Sequence, residues 1–320
     1  MRAIPLLSLL LGGWFIVPAH ADEAQDWLKR LGQAEQQQSF HGTFVYERNG
    51  SFSTHNIWHR VQDGKVRERL LQLDGSAQEV VRIDGHTQCV SGTLIAGLGD
   101  SSNSTARALD PQKLKNWYDL AVIGKSRVAG RSAVIVSLTP RDQHRYGFEL
   151  HLDKETGLPL KSLLLNEKGQ LLERFQFTRL DTADVPSEGD LQAGPDCKAI
   201  SLDSDQASAV KTAQVWHSDW LPPGFELTSS TSHKDPETKA QVNSLMYDDG
   251  LARFSVFLEP LNGATVTDTR TQLGPTVAVS RRLTTPQGEM MVTVVGEIPI
   301  GTAERIALSM RNDAAVSSKQ

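Results

Sequence analysis

Residues 146–178, YGFELHLDKETGLPLKSLLLNEKGQLLERFQFT, decide how the first half of the chain is read. Phe148, Leu150 and Leu152 alternate with Glu149, His151 and Asp153, the period of a strand with one buried face. Asp153-Lys154-Glu155-Thr156-Gly157 makes a polar turn whose glycine can supply a positive φ. Residues 158–165 are bulky at both parities, so this second strand is expected to be covered on both faces. Residues 166–169 turn the chain again, and Leu171, Phe175 and Phe177 line a third strand. Three antiparallel strands on short turns form a meander, and the sheet is expected to continue outward from it.

The sheet extends toward the N-terminus. Phe40, Gly42, Phe44 and Tyr46 share one face of a strand, and Asn49-Gly50 is a strong hairpin signal. Asp63-Gly64, Asp74-Gly75 and Asp84-Gly85 punctuate further strands at residues 53–61, 65–73, 79–83 and 87–90. This spacing indicates an antiparallel sheet rather than β-α units. Residues 124–128 and 131–138 lead into the meander. Residues 97–108 are rich in Ser, Gly and Asn and are expected to form a mobile loop.

Two helices accompany this sheet. In residues 22–38, Ala24, Trp27, Leu28, Leu31 and Ala34 fall on one face at helical spacing. Asp110-Pro111 is an N-cap followed by proline, and predicts a short helix carrying Leu114, Trp117 and Tyr118. Helices against one face of a twisted sheet make an α+β arrangement.

The 320-residue length suggests about two domains. Residues 22–180 form the first. Residues 181–213 are polar, with several Pro and Gly, and read as a linker. Residues 214–320 form a smaller α+β domain. Strands are expected at residues 225–229, 241–247, 252–258, 276–282 and 290–295, with a last helix from an N-cap at Thr302.

Residues 1–21 stand apart. Arg2, an apolar run over residues 6–17 and Ala19-His20-Ala21 compose a secretory signal peptide, with cleavage expected before Asp22. The alternative, an uncleaved anchor, has an apolar run short of the roughly 20 residues a span needs. The net charge of −5 gives no basic footprint for nucleic acid or anionic lipid. Cys89 and Cys197 both lie in the exported part, where disulfides persist. Either they bridge, or they are two unrelated buried thiols.

No catalytic constellation emerges. G-x-S-x-G is absent. Gly124-Lys125-Ser126 resembles a P-loop end, but Asp119 stands where the first glycine is required. His55 and His59 are four apart on a strand, a span of about 13 Å, too far for one metal. Neither cysteine belongs to a C-x-x-C. Two Asn-x-Ser/Thr sequons, at Asn49 and Asn103, matter only in a eukaryotic secretory pathway. Most acids beside glycines, Asp249 among them, read as turn residues. No metal or cofactor is implied. What remains is binding surface: Trp216, Trp220 and Phe225 flank Pro222-Pro223, and aromatics are favoured interface anchors. The alternative is that this segment plugs the small domain's own core.

Several strings carry a resemblance when taken together and in order. They are Phe40-His41-Gly42-Thr43-Phe44-Val45-Tyr46, Glu68-Arg69-Leu70 with Leu73-Asp74-Gly75, and Arg127-Val128-Ala129-Gly130-Arg131. Next come Arg145-Tyr146-Gly147 and the turn from Leu152 to Ser162. In the second half they are Leu221-Pro222-Pro223-Gly224-Phe225, Asp249-Gly250-Leu251-Ala252 with Phe254-Ser255-Val256-Phe257, and Val292-Thr293-Val294-Val295-Gly296-Glu297-Ile298-Pro299. This chain resembles the RseB/MucB family of periplasmic regulators over nearly its whole mature length.

The resemblance implies a periplasmic protein that binds the periplasmic region of an inner-membrane anti-sigma factor and shields it from site-1 proteolysis. The output implied is control of an envelope-stress sigma factor and, in the MucB branch, of alginate synthesis. It also implies a first domain similar to the lipoprotein carriers LolA and LolB, an open β half-barrel with helices at its concave side. A lipid or lipopolysaccharide-type ligand is then expected to release the anti-sigma factor. Trp27, Leu31, Phe44, Leu150 and Phe175 are the residues expected to line a lipid cavity. Self-association stays open. A lipid or lipoprotein carrier is the competing reading, and the second domain, which a carrier does not need, separates the two.

Overall fold

The computed structural model describes residues 19–76, 78–92, 109–199, 216–235, 239–286 and 288–312. Most of the expected signal peptide, the loop at residues 97–108 and the later part of the expected linker lie outside the described residues.

The first unit holds helix α1 (Ala19–Gln37), then strands β1 (Phe40–Arg48), β2 (Ser51–Gln62), β3 (Lys65–Gln72), β4 (Glu79–Ile83) and β5 (His86–Ser91). Helix α2 (Pro111–Leu114) follows, with β6 (Tyr118–Val128), β7 (Arg131–Pro140), β8 (Gly147–Asp153), β9 (Pro159–Leu165), β10 (Leu171–Asp181) and β11 (Lys198–Ala199). These eleven strands make one antiparallel sheet in the order β11-β5-β4-β3-β2-β1-β10-β9-β8-β7-β6. The edges β11 and β6 do not pair, so the sheet is open and not a closed barrel. β1 sits in the middle, pairing with β2 on one side and β10 on the other. The meander β8-β9-β10 is thus one arm of the sheet, and the β1–β5 hairpins are the other.

The hairpin turns follow their sequence signals. Asn49 and Gly50 take φ of 52° and 74°, the paired positive angles that match strand twist. Alternation then sets two faces. Phe40, Phe44, Phe177, Leu70, Val80 and Val90 join Ala34 of α1 in one apolar cluster. Ala24, Leu28 and Leu31 of α1 pack with Leu120, Val134, Val136, Leu138, Leu150 and Leu152 in another. The apolar stripe of α1 therefore covers one face of the sheet. β9 departs from expectation. Leu160 and Leu164 are buried, but Leu163 and Leu165 on the opposite face are only half-buried. A run of leucines does not by itself demand a second covering layer, and here the other face stays partly open.

Residues 181–199, expected as linker, lie packed on the first sheet instead. They cross the face opposite α1 as a strap. Glu188 pairs with Arg60 and Arg67 on neighbouring strands. Arg69 donates to the Asp190 carbonyl at 3.1 Å, and the Gly194 N–H donates to the Glu79 carboxylate at 2.9 Å. Leu191 is fully buried beneath it. The strap ends at a disulfide between Cys197 and Cys89 of β5, with Cα atoms 5.5 Å apart, and continues as the edge strand β11. Its polar composition reflects partners on an arginine-bearing sheet face rather than freedom in solvent.

The second unit holds β12 (Trp216–Ser218), β13 (Glu226–Lys234), β14 (Gln241–Asp248), β15 (Arg253–Pro260), β16 (Thr269–Leu273), β17 (Thr276–Thr285), β18 (Gly288–Gly296), α3 (Ile300–Ser309) and β19 (Met310–Asn312). Six strands form an antiparallel sheet, β13-β14-β15-β18-β17-β16, and β12 pairs with β19 beside it. Ala303, Ile306 and Ala307 of α3 pack against Val256, Val279, Val292 and Val294. α3 begins two residues before the expected N-cap. Pro299 is the N-cap and makes no side-chain cap bond, so Thr302 is free to face the other domain.

α2 is shorter than expected. Asp110 caps it, accepting from the Gln112 and Lys113 N–H groups at 2.9 and 3.2 Å. Trp117 lies in the turn that follows and Tyr118 opens β6.

Candidate functional site

The two units meet around one buried cation. Arg145 sits in the loop between β7 and β8, and its side chain is wholly buried. Its Nη1 lies 3.4 Å from Oδ2 of Asp249, which comes from the turn between β14 and β15 and is itself wholly buried. Its Nη2 donates to the Pro223 carbonyl at 2.5 Å and lies 3.5 Å from Asp142. The guanidinium carbon is 5.1 Å from the Phe225 ring centroid, 5.6 Å from Trp117 and 5.7 Å from Tyr118. A cation among aromatic faces gains from their quadrupoles, more so when water is excluded.

The other side of the pair is equally fixed. Asp249 Oδ1 accepts from the Leu251 and Ala252 N–H groups at 2.9 and 2.7 Å, closing its own turn. Burial pushes its carboxyl up, against the pull of those donors and of Arg145. The Tyr118 hydroxyl approaches Asp249 Oδ2 at 3.5 Å and is pushed up by burial and then by that carboxylate. Gly224 fits here because a side chain cannot. Its φ is +88°, and a Cβ would stand 2.2 Å from the Trp117 ring.

Further contacts flank this hub. The Tyr146 hydroxyl donates to the Ile298 carbonyl at 3.0 Å, and burial pushes that phenol up to about 12. His144 Nδ1 is 3.1 Å from Thr302 Oγ1, and its ring meets Trp220 edge-on at 5.0 Å. Lys113 pairs with Glu226 at 2.8 Å. Arg48, at the end of β1, bonds Thr276 and lies 3.9 Å from Glu297. Between these contacts lies a cleft of about 490 Å³, lined by Gln143, His144, Tyr146, Asn166, Glu167, Gln272, Arg305 and residues 299–302.

The residues expected as partner anchors occupy other roles. Trp216 and Phe225 are buried in the second domain's own core, at 7% and 5% exposure. Pro222 is buried, Pro223 is exposed but gives its carbonyl to Arg145, and Trp220 lies half-buried under Arg305 at 3.8 Å. The rings of Trp216 and Phe225 are desolvated within the second domain itself, which leaves Trp220 and Pro223 as the parts of this segment with accessible surface.

The five residues expected to line a lipid cavity are divided between two apolar clusters. Trp27, Leu31 and Leu150 belong to the cluster under α1, and Phe44 and Phe175 to the other. The helix fills that face. His55 and His59 stack on Phe44 and Phe40 as strand histidines, 5.0 and 4.7 Å between centroids. Among the described residues no cluster of three or more metal-ligating side chains occurs.

Sequence reasoning missed Arg145 and read Asp249 as a turn residue. The signal lay in the strings that carried the resemblance. Arg145-Tyr146-Gly147, Leu221-Pro222-Pro223-Gly224-Phe225 and Asp249-Gly250-Leu251-Ala252 converge at this one contact.

The MucB/RseB N-terminal domain family matches residues 23–212, and the MucB/RseB C-terminal domain family matches residues 210–311. The chain belongs to the MucB/RseB family. The Sigma factor AlgU regulatory protein MucB of Pseudomonas aeruginosa is 63% identical over 317 residues, covering 98% of this chain and 99% of that protein. The Sigma-E factor regulatory protein RseB of Haemophilus influenzae is 28% identical, covering 97% and 99%. Among solved structures, the P. aeruginosa MucA/MucB complex matches with a TM-score of 0.81 at 62% identity, covering 92% of this chain and all of that one. A crystal structure of MucB matches with a TM-score of 0.68 at 60% identity, covering 91% of this chain and 98% of that one. This MucB/RseB-family chain is thus a two-domain regulatory protein whose domains meet at a buried, aromatic-lined ion pair. Among its described residues no helix is long and apolar enough to cross a membrane.

Proposed function

We propose that this protein binds the periplasmic region of a MucA-like, membrane-spanning anti-sigma factor and shields it from site-1 proteolysis. One observation carries the reading. The chain matches a MucB crystallised with MucA over the full length of that MucB, at 62% identity. Both domains take part, since the resemblance covers both. The place of action is the periplasm, reached through the signal peptide at residues 1–21. Processing is then expected before Asp22, which makes Ala19-His20-Ala21 the discarded first turn of α1. N-terminal sequencing of the exported protein should read DEAQDW; retention in the cytoplasm would remove the compartment argument.

Binding is tested by calorimetry with the periplasmic region of P. aeruginosa MucA. Protection is tested by the rate at which a site-1 protease cuts that region with and without this protein. Firm binding with slowed cleavage is expected; absence of binding would overturn the reading.

Release by a lipid or lipopolysaccharide-type ligand completes the proposal. Such a ligand releases the partner only if it prefers the free protein, and the partner must then weaken lipid binding by the same factor. Because α1 covers the apolar face, an acyl chain reaching Phe44 or Leu150 has to displace part of it. A periplasmic lipid or lipoprotein carrier of the LolA/LolB type is the second reading, favoured by the open sheet with its apolar face. The additional six-stranded domain, which carriage does not require, weighs against it.

A further inference from the structure

The polar strap and the buried ion pair divide the task of joining the domains unequally. Residues 181–199 are fastened to the first sheet by Glu188, Leu191 and the disulfide. They hold nothing of the second domain among the described residues. The contacts that hold the second domain come from the β7–β8 loop, from Lys113, Trp117 and Tyr118 and from Arg48 of β1, and Arg145 is the buried charge among them. Its charge belongs to the first domain, whereas its carboxylate Asp249, its carbonyl Pro223 and its ring Phe225 belong to the second.

We propose that Arg145 is an interdomain latch, a positioning residue that holds the two domains in one arrangement, and that the anti-sigma partner binds the latched form. The physical reason is the cost of an unpaired buried charge. Removing one member of a buried pair leaves the other without compensation. Inside a single domain that cost must be met by unfolding or by a shifted protonation state. Here the pair spans two domains, so parting them admits water to Asp249 while each core stays intact. Arg145 lies between the two cores, against Tyr118 at the margin of the first and Phe225 at the margin of the second, while the valines under α3 and the leucines under α1 pack within their own domains. The latch also has steric definition. Trp117 closes on Gly224 so tightly that even a methyl group there would keep the surfaces apart.

The affinity half of this inference rests on the proposed partner; the arrangement half does not. The experiment therefore reads both, on the full-length exported protein. Small-angle scattering gives the radius of gyration, far-UV circular dichroism reports the fold, and calorimetry uses the P. aeruginosa MucA periplasmic region as probe. Arg145→Met is expected to enlarge the radius of gyration with the dichroism unchanged. It should weaken MucA binding by about 5–150-fold, the usual range for coupling between domains or sites. Arg145→Met combined with Asp249→Asn removes both charges and keeps the acceptor that closes the Asp249 turn. This pair is expected to recover the compact form and most of the affinity, which a merely structural role for Arg145 would not produce. Lys113→Ala, which cuts only the exposed bridge to Glu226, should change neither readout. If Arg145→Met does not fold, Gly224→Ala takes its place, wedging the interface without touching a buried charge.

An unchanged radius of gyration in a folded Arg145→Met or Gly224→Ala protein would overturn the latch. An enlarged radius with undiminished MucA affinity would overturn its link to the partner. If the unaltered protein fails to bind MucA, the proposed function falls, and the scattering measurements still decide whether the latch exists.

Discussion

Single residues carry much of the stability of the first domain. The Cys89–Cys197 disulfide joins positions 108 apart in sequence. In the chain-entropy picture a loop near 100 residues gives about 4–5 kcal/mol of stabilisation. Replacing both cysteines with alanine should lower the stability of the first domain by about 2–5 kcal/mol, measured by urea unfolding with and without the bridge. Mass spectrometry of unreduced peptides checks the bond itself, and two free thiols would cancel the expectation. The buried histidines add a pH dependence. Burial holds His55 and His151 below the ordinary imidazole range, only partly offset by Asp74 and Glu149 respectively. The unfolded chain takes up these protons first, at its ordinary value of about 6.5. The stabilisation is therefore fully present above that value and is lost as pH falls through the depressed folded values. The thermal midpoint should drop between neutral pH and pH about 5. His55→Phe, which keeps the stacking on Phe44, should make the drop shallower; an equal drop would place the acid sensitivity elsewhere.

At the scale of elements, α1 decides whether the sheet's apolar face is covered. Leu28 is wholly buried between Ala24, Leu31 and the strands β6–β8. Leu28→Ala should cost about 2–5 kcal/mol, the transfer of the lost methyl groups plus the cavity they leave. The same substitution should speed hydrogen exchange along α1 more than along β1 and β10, whose ladder is central to the sheet. A lipid that enters by displacing α1 should bind Leu28→Ala more tightly, because the helix then competes less. Unchanged lipid affinity in that variant would direct the search to another surface, the cleft at Tyr146 and Arg305 included.

On the scale of the whole molecule, the division between domains follows from where their ties lie. Both cysteines, the strap and α1 all belong to residues 22–200, so that piece retains a complete core and its disulfide. It should fold alone as an antiparallel-sheet protein with a cooperative thermal transition. It should hold the MucA periplasmic region more weakly than the intact chain if, as proposed, both domains take part in binding. Equal affinity for the fragment and the whole would assign recognition to the first domain alone. Separation also uncovers Trp117, which Gly224 and Leu251 of the second domain otherwise cover, so the fragment should be less soluble than the intact protein.

Local signals were enough for much of the architecture. Alternation in residues 146–178, Asn49-Gly50 and the Asp-Gly turns specified antiparallel strands, because period-2 burial and positive-φ turns are properties of a few adjacent residues. The stripe of Ala24, Leu28 and Leu31 likewise announced a covering helix, and the ordered family strings announced a two-domain regulator. Local signals could not say what covers what. A polar Pro/Gly segment reads as linker whether it meets water or arginines on a sheet face, and only the fold brought Glu188 to Arg60 and Arg67. Trp216, Trp220 and Phe225 have the same composition as an exposed anchor and as a core plug; which one they are depended on strands far along the chain. Arg145 and Asp249 stand 104 positions apart in loops that look ordinary alone. Their meaning comes from burial and long-range pairing, which the tertiary structure creates and no window of sequence contains.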